Sequence, residues 1–436
     1  MKWIKHNLKR IKLAVSVFAI LLVLSCQTNI SKENNSVAIK DQSNLNAKDI
    51  LGNPKYVAIS YGGYRTTSRD DQPSINDLKE DMLILNAMGV KILRTYNVHL
   101  DQAANVLEAI RQLKDENADF EMYVMLGIWI DCKNAFNWDN VKPDHNQESE
   151  RNPVEVQTAV MLAKKYPEIV KILAVGNEAM VKWATAYYVQ PGVILKWVNH
   201  LQALKKSGEL PKDLWITSSD NFASWGGGDS EYHVADLEKL IHAVDYISMH
   251  TYPMHDTHYH PVFWGISETE TKASKKVKID SAMLRAKVYA MSQYEAVKAY
   301  VKSLGVDKPI HIGETGWASF SGGLYGNNGS KATDEYKEAL YYQHMREWTN
   351  KAGMSCFYFE AFDEHWKDAE NPKGSENHFG LFTIDGKAKY ALWDLVDKGL
   401  FKGLTRNGNP ITKTYNGNLD ELMKEVMIPE LKPQSK

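Results

Sequence analysis

From residue 55 onward the chain repeats one period: a short run of β-branched and aromatic residues, then a longer stretch with apolar residues at helical spacing. Eight such runs occur, at 56–64, 90–97, 121–130, 171–178, 214–221, 244–253, 308–317 and 354–364. Helical patterns fall between them at Ile75–Met88, Leu100–Asp115, Pro153–Lys165, Val193–Lys206, Val234–Ala243, Ser281–Lys302 and Ala332–Ala352. Strands that alternate with helices pair in parallel, because each helix returns the chain to the same edge. Eight of them predict one α/β domain, a single (β/α)8 TIM barrel over 54–400, rather than an open sheet. Several runs stay apolar to their last residues, as strands covered on both faces do. The span exceeds the about 250 residues typical of such barrels. The excess is assigned to enlarged loops at 131–152 and 254–280, both at the C-terminal rim of the strands, where these barrels build active sites. Residues 401–436 read as a C-terminal extension.

Composition narrows what the rim can act on. Twelve Trp and 22 Tyr can bury a core and exclude disorder. Three scattered cysteines exclude a disulfide scaffold. Cys132 and Cys356 lie in apolar, strand-like surroundings and read as buried thiols. A net charge of -2 with no basic stripe argues against nucleic acid as a partner. Beyond residue 25 the chain carries 47 Lys and Arg against 54 acids. So mild an excess neither attracts nor repels a neutral ligand, which keeps neutral polymers in view.

The first 25 residues read as a targeting signal. Lys2 to Lys12 are basic, and Leu13 to Leu24 are apolar apart from Ser16. That stretch is shorter than the about 20 residues of a spanning helix and fits the core of an export signal. It ends in Val23-Leu24-Ser25-Cys26. These residues resemble a bacterial lipobox, in which the cysteine becomes the new N-terminus and carries lipid through its thiol. The expectation is an exported lipoprotein anchored at the cell surface or in the periplasm through Cys26. A plain secretory signal with an incidental cysteine is the alternative. Residues 26–53, polar and rich in Asn and Ser, read as a flexible tether.

Polar and aromatic residues gather where each predicted strand ends: Tyr61 and Tyr64, Arg94, Tyr96 and Asn97, Trp129 and Asp131, Asn177 and Glu178. The ring continues with Ser219, Asp220 and Asn221, His250 and Tyr252, Glu314 and Trp317, Glu360 and Glu364. Any one has a plain explanation; Asn177 could cap the next helix. Eight polar clusters at one end of eight strands are a site. Glu178 and Glu314 stand out, since Gly176 and Gly313 beside them bring backbone and carboxylate close to a ligand. Two carboxylates across one mouth are the equipment for cleaving a glycosidic bond. One must be protonated for the leaving oxygen and the other ionised for the developing positive sugar, a split that repulsion and unequal burial create.

Gly176-Asn177-Glu178 and Gly313-Glu314-Thr315-Gly316-Trp317, with Arg94, His250-Thr251-Tyr252 and Phe359-Glu360-Ala361-Phe362-Asp363-Glu364, resemble the motifs of glycoside hydrolase family 17 in clan A, which includes β-1,3-glucanases. The likeness extends over 55–400. It implies a retaining glycoside hydrolase cleaving laminarin-like β-1,3-glucan internally, with Glu314 as nucleophile and Glu178 as acid/base. It further implies that Asn177 bonds the sugar 2-hydroxyl, that Tyr252 steadies Glu314, and that Arg94 lies near the nucleophile. His250, Glu360, Glu364, Tyr61 and Asn221 are expected to line the sugar cleft. Among the tryptophans on or after strand ends (Trp129, Trp138, Trp225, Trp264, Trp317, Trp366), Trp317 is expected to offer a stacking face to a glucose ring. The run Asn221–Asp229 reads as a flexible cleft wall. His255, His258, His260 and Asp256 have metal-like spacing without a clean motif, so no metal or cofactor is expected. The chain is expected to act as a monomer. The alternatives are a β-1,3-glucan glucanosyltransferase, which uses the same covalent intermediate, and a glucan-binding lipoprotein without catalysis.

Overall fold

A computed structural model describes residues 45–137 and 141–432. Cys26, the export signal, residues 26–44 of the tether and Trp138 lie outside these described residues. The eight runs form β1 (Val57–Ser60), β2 (Val90–Arg94), β3 (Tyr123–Ile128), β4 (Val170–Asn177), β5 (Trp215–Asn221), β6 (Ile247–His250), β7 (Ile310–Gly316) and β8 (Cys356–Phe359). They pair in parallel in sequence order, and β1 closes the barrel by pairing with both β2 and β8. Outside run α1 (Ile75–Ala87), α2 (Asp101–Glu116), α3 (Asn152–Lys165), α4 (Pro191–Ser207), α5 (Ala235–Ala243), α6 (Lys275–Ser303), α7 (Glu335–Ala352) and the short α8 (Trp393–Asp397). Each predicted helix is present.

Local chemistry sets the helix ends. Ser74 accepts from the Asp77 N–H while the Asp77 carboxylate accepts from the Ser74 N–H, a reciprocal cap that starts α1. Pro191 occupies the first turn of α4, where a missing N–H costs nothing. α4 and α7 stop at Gly208 and Gly353, whose φ of 85° and 66° a side chain would resist.

The interior holds two apolar layers. One fills the space between strands and helices. The other lies inside the barrel near the strand starts, where Ile92, Tyr123, Ile172, Tyr246 and Phe357 meet Ala47, Ile50 and Leu51. These last three belong to a short helix, Ala47–Ile50, and its exit, with Asn46 capping it through Lys48 N–H and Asp49 N–H. The packed chain therefore includes residues 45–53 as well as those from 54 on: Ala47 and Ile50 are fully buried, and a buried isoleucine contributes about 1.5–3 kcal/mol. The tether ends earlier than its polar composition suggested.

Three further expectations change. Residues 401–432 pack against the barrel's outer elements, since Arg406 is fully buried against Asp81 of α1 and Leu431 bridges to Ile266. The loop 254–280 is half structured, with a short helix at Pro253–Tyr259 and α6 already under way at Lys275. The glycine-rich run is a tight packed turn: Trp225 is fully buried, and a Cβ on Gly226 would lie 2.0 Å from the Tyr300 ring. The loop 131–152 carries a small antiparallel pair, Cys132–Lys133 with Asp144–Glu148. Cys132 and Cys356 are both buried free thiols.

Candidate active site

Glu314 sits on β7, directly after Gly313. A Cβ at Gly313 would lie 2.0 Å from Ser248 Oγ, so only glycine lets β7 approach β6 this closely. The Glu314 carboxylate is 7% exposed and fully engaged. Tyr252 O–H donates to Oε1 at 2.6 Å, Tyr96 O–H donates to Oε2 at 2.9 Å, and the Arg94 guanidinium also donates to Oε2. Arg94 crosses the barrel from β2, is 1% exposed, and donates in addition to the Gly313 carbonyl at 3.0 Å and to Asn177 Oδ1 at 2.5 Å.

Glu178 stands on the far side. Gly176, with φ of 83°, and Glu178 itself, with φ of 46°, bend the chain off the end of β4. Left-handed backbone is costly for a residue with a Cβ, and the surroundings hold it there. Glu178 N–H donates to the Ser219 carbonyl at 3.0 Å, and Met180 N–H donates to Asp220 Oδ2 at 2.7 Å. His250 Nδ1 lies 3.2 Å from Glu178 Oε1, while its Nε2 lies 2.7 Å from Ser219 Oγ. His250 is paired with Glu314 in the β6–β7 ladder, so a single residue borders both carboxyls.

The two acids are set in opposite directions. Burial, then the negative charge of Glu314, pushes the Glu178 carboxyl up to about 8. Burial alone would raise Glu314 as well, but Arg94 and the hydroxyls of Tyr252 and Tyr96 hold it down, at about 2. Burial keeps His250 neutral, with its pKa lowered to about 4. At neutral pH one mouth thus holds a proton donor, a carboxylate and a neutral imidazole.

Several expected sugar ligands prove to have other partners. Trp317 is fully buried, donates Nε1–H to the Ala332 carbonyl and packs on Trp264 and Tyr341 behind the sheet, so its ring offers no face to a sugar. Tyr61 is 1% exposed and donates to Asp81 on α1. Asn221 spends its side-chain oxygen on the Ala223 N–H. Glu360 and Glu364 are 2% and 1% exposed and flank the Lys367 ammonium at 3.1 and 3.2 Å. His250 is fully buried and reaches the mouth through Glu178. Trp225 and Trp264 are likewise core residues, whereas Trp129 and Trp366 are half-buried at the rim.

Other contributors are absent from the sequence reading or misassigned by it. Lys367 is the counter-ion of the β8 acids and lies 4.3 Å over the Phe359 ring. His255 stacks on Tyr252 at 5.3 Å and pairs with Glu376 at 3.6 Å. It belongs to the mouth, while His260 lies 3.9 Å from Asp256. Among the described residues, the one His–acid group close enough to share an ion is Asp363, His365 and His378. There the Lys389 ammonium already lies 2.8 Å from Asp363 Oδ1, where it opposes a second cation.

Comparison with known proteins places these residues in context. The BtgE/BtgC glycoside hydrolase domain matches residues 58–380. An endo-laminarinase from Formosa Hel1_33_131 is 69% identical and superposes with a TM-score of 0.88, covering 90% of this chain and 99% of that one. The "probable glucan endo-1,3-beta-glucosidase btgC" of Aspergillus flavus is 26% identical over 83% of this chain and 47% of its own length, so this chain spans about half the length of that curated relative. A glycoside hydrolase family 17 β-1,3-glucanosyltransferase from Rhizomucor miehei, 19% identical over 77% of this chain and 96% of that one, shares the fold with a TM-score of 0.51.

Proposed function

Because this chain belongs to the BtgE/BtgC glycoside hydrolase domain family, we propose that its barrel mouth hydrolyses internal β-1,3-glucosidic bonds of a laminarin-like glucan. The observation that carries this reading is the pair of buried carboxyls at one mouth, Glu314 clamped by Arg94, Tyr96 and Tyr252 and Glu178 held beside His250 without a cation on its oxygens among the described residues. The 69% identity to an endo-laminarinase supports the choice of substrate. Glu314, ionised and steadied by Arg94, Tyr96 and Tyr252, attacks the anomeric carbon. Glu178 gives its proton to the departing oxygen. The C–O bond to the leaving sugar breaks as the bond to Glu314 forms, and the configuration inverts once. Glu178, now a carboxylate, takes a proton from water, whose oxygen displaces Glu314 and restores the configuration. Asn177, held by Arg94, is placed to bond the 2-hydroxyl of the sugar under attack, a contact that gains value as charge develops.

The test is a product time-course on linear laminari-oligosaccharides with wild type and Glu314→Ala. Internal cleavage by wild type, with turnover in the variant reduced by at least about 10³-fold, is expected. Retained turnover in Glu314→Ala overturns the assignment, and products longer than the substrate would make the protein a transglycosylase instead. We propose further that Cys26 carries lipid and fastens the enzyme to a membrane of an exported compartment. The lipobox-like Val23-Leu24-Ser25-Cys26 supports this, and release of a Cys26→Ser variant from the membrane fraction is its test.

A further inference from the structure

Beside the mouth, at the ends of β2 and β3, lies a cavity of about 580 Å³. That is within the about 300–1,000 Å³ of small-molecule sites. Trp129 and Phe136 form one wall, with ring centroids 6.2 Å apart, and Tyr187 backs both at 5.3 and 5.2 Å. Phe136 is 40% exposed and is held at a φ of 54°, a left-handed conformation that a bulky residue rarely keeps. Two backbone bonds fix it there: Phe136 N–H donates to the Ala186 carbonyl and Cys132 N–H to the Tyr187 carbonyl, each at 3.0 Å. Since Ala186 and Tyr187 lie on the loop that follows Glu178, the aromatic wall is tied to the loop of the acid/base.

The opposite wall is polar. Asp131, 1% exposed, uses Oδ2 to accept from Arg151 at 2.6 Å and Trp129 Nε1–H at 3.3 Å. Its buried Oδ1 has no hydrogen-bond partner among the described residues. An unpaired buried acceptor is costly, and its pairing is a gain that a ligand can supply. The Arg151 side chain is 68% exposed and Asn97 also lines the space, so donors and acceptors face an apolar wall. Glu155 makes this end rigid, taking Val98 N–H at 2.7 Å and Trp129 N–H at 3.1 Å on one oxygen. On the lining, Arg69 and Arg151 stand among Asp131, Glu150 and Glu155, so both signs are present and neither dominates a space suited to a neutral ligand.

We propose that this cavity binds one glucosyl unit of the leaving-group arm, its C–H face on Trp129 and Phe136 and its hydroxyls toward Asp131, Asn97 and Arg151. The inference rests on the glucanase reading, because the arm on the side of Glu178 is the one that departs. An aromatic wall with a polar rim is what a pyranose ring requires. Placing this unit spends binding energy remote from the reacting bond on orienting that bond, so its loss falls on long substrates.

The experiment compares wild type, Phe136→Ala and Asp131→Asn on laminarihexaose and on an aryl β-laminaribioside whose leaving group ends short of the cavity. The ratio of kcat/KM for hexasaccharide to that for aryl glycoside is expected to fall about tenfold in each variant. In a Glu314→Ala background, calorimetric hexasaccharide affinity is expected to fall by a similar factor on adding Phe136→Ala. Asp131→Asn disturbs a buried carboxylate and its pairing with Arg151, so the exposed Phe136 provides the variant that keeps the fold. An unchanged ratio together with unchanged affinity overturns the cavity's role. Wild type that cleaves neither substrate overturns the glucanase reading instead, and the affinity arm then still decides whether the cavity holds sugar.

Discussion

Glu178 interrupts the alternation of side chains along β4. In a regular strand Asn177 and Glu178 would point to opposite faces, yet the left-handed turn at Glu178 delivers both to the mouth. The same alternation explains the misplaced tryptophan. Glu314 and Trp317 are three residues apart, and when one points inward the other meets the helices, as Trp317 does. His250 and Tyr252, two apart, share the inner side. Residue types at strand ends were thus legible, but their facing was not, because it depends on where each strand stops. The titration carries its own prediction. Because the proposed mechanism needs Glu178 protonated and its carboxyl is raised to about 8, kcat/KM is expected to hold through neutrality and fall as pH rises past that value. An alkaline limb near the ordinary carboxylate range, measured on laminarihexaose, would show that the acid's carboxyl is not raised.

The strand-to-helix connection after β4 owes its shape to β5. Asp220, fully buried and accepting the Met180 N–H, pins the turn two residues beyond Glu178. Asp220→Ala leaves that N–H without its acceptor, a loss of about 1–3 kcal/mol, and lets the acid drift. Displacement of about 1 Å costs on the order of 10²-fold, so kcat is expected to fall steeply with KM little changed, as steady-state kinetics would read. Among the elements, the eight barrel strands and α1 to α7 were visible because their apolar periods differ so clearly, although α2 to α5 start without a side-chain cap. α6 was misjudged at its start because Lys275–Asp280 is mostly polar and its signal is a lone Ser274 cap. The glycine-rich run misled in the other direction, since glycine signals close packing as readily as mobility.

The closed barrel is braced from outside by segments that the strand count ignores. Arg406, from the C-terminal part of the chain, reaches Asp81 of α1 through Nε at 2.9 Å and a second nitrogen at 3.2 Å. Arg65 and Tyr61 complete that buried carboxylate. Removing one partner of a buried pair costs about 3–5 kcal/mol, so Arg406→Ala is expected to lower the free energy of unfolding by that amount, read as a lower denaturant midpoint at unchanged m. A change within about 0.5 kcal/mol would mean that the pair is solvated. This architecture was not legible, because an arginine in a polar tail gives no sign of the aspartate 325 positions away that neutralises it. Arg94 has the widest reach, running from β2 to Asn177 on β4 and to Gly313 and Glu314 on β7. It acts as a strut across the lumen, tying the spacing of Asn177 and Glu314 to the girth of the barrel itself. Any breathing of the staves would therefore be felt first as a change in the chemistry.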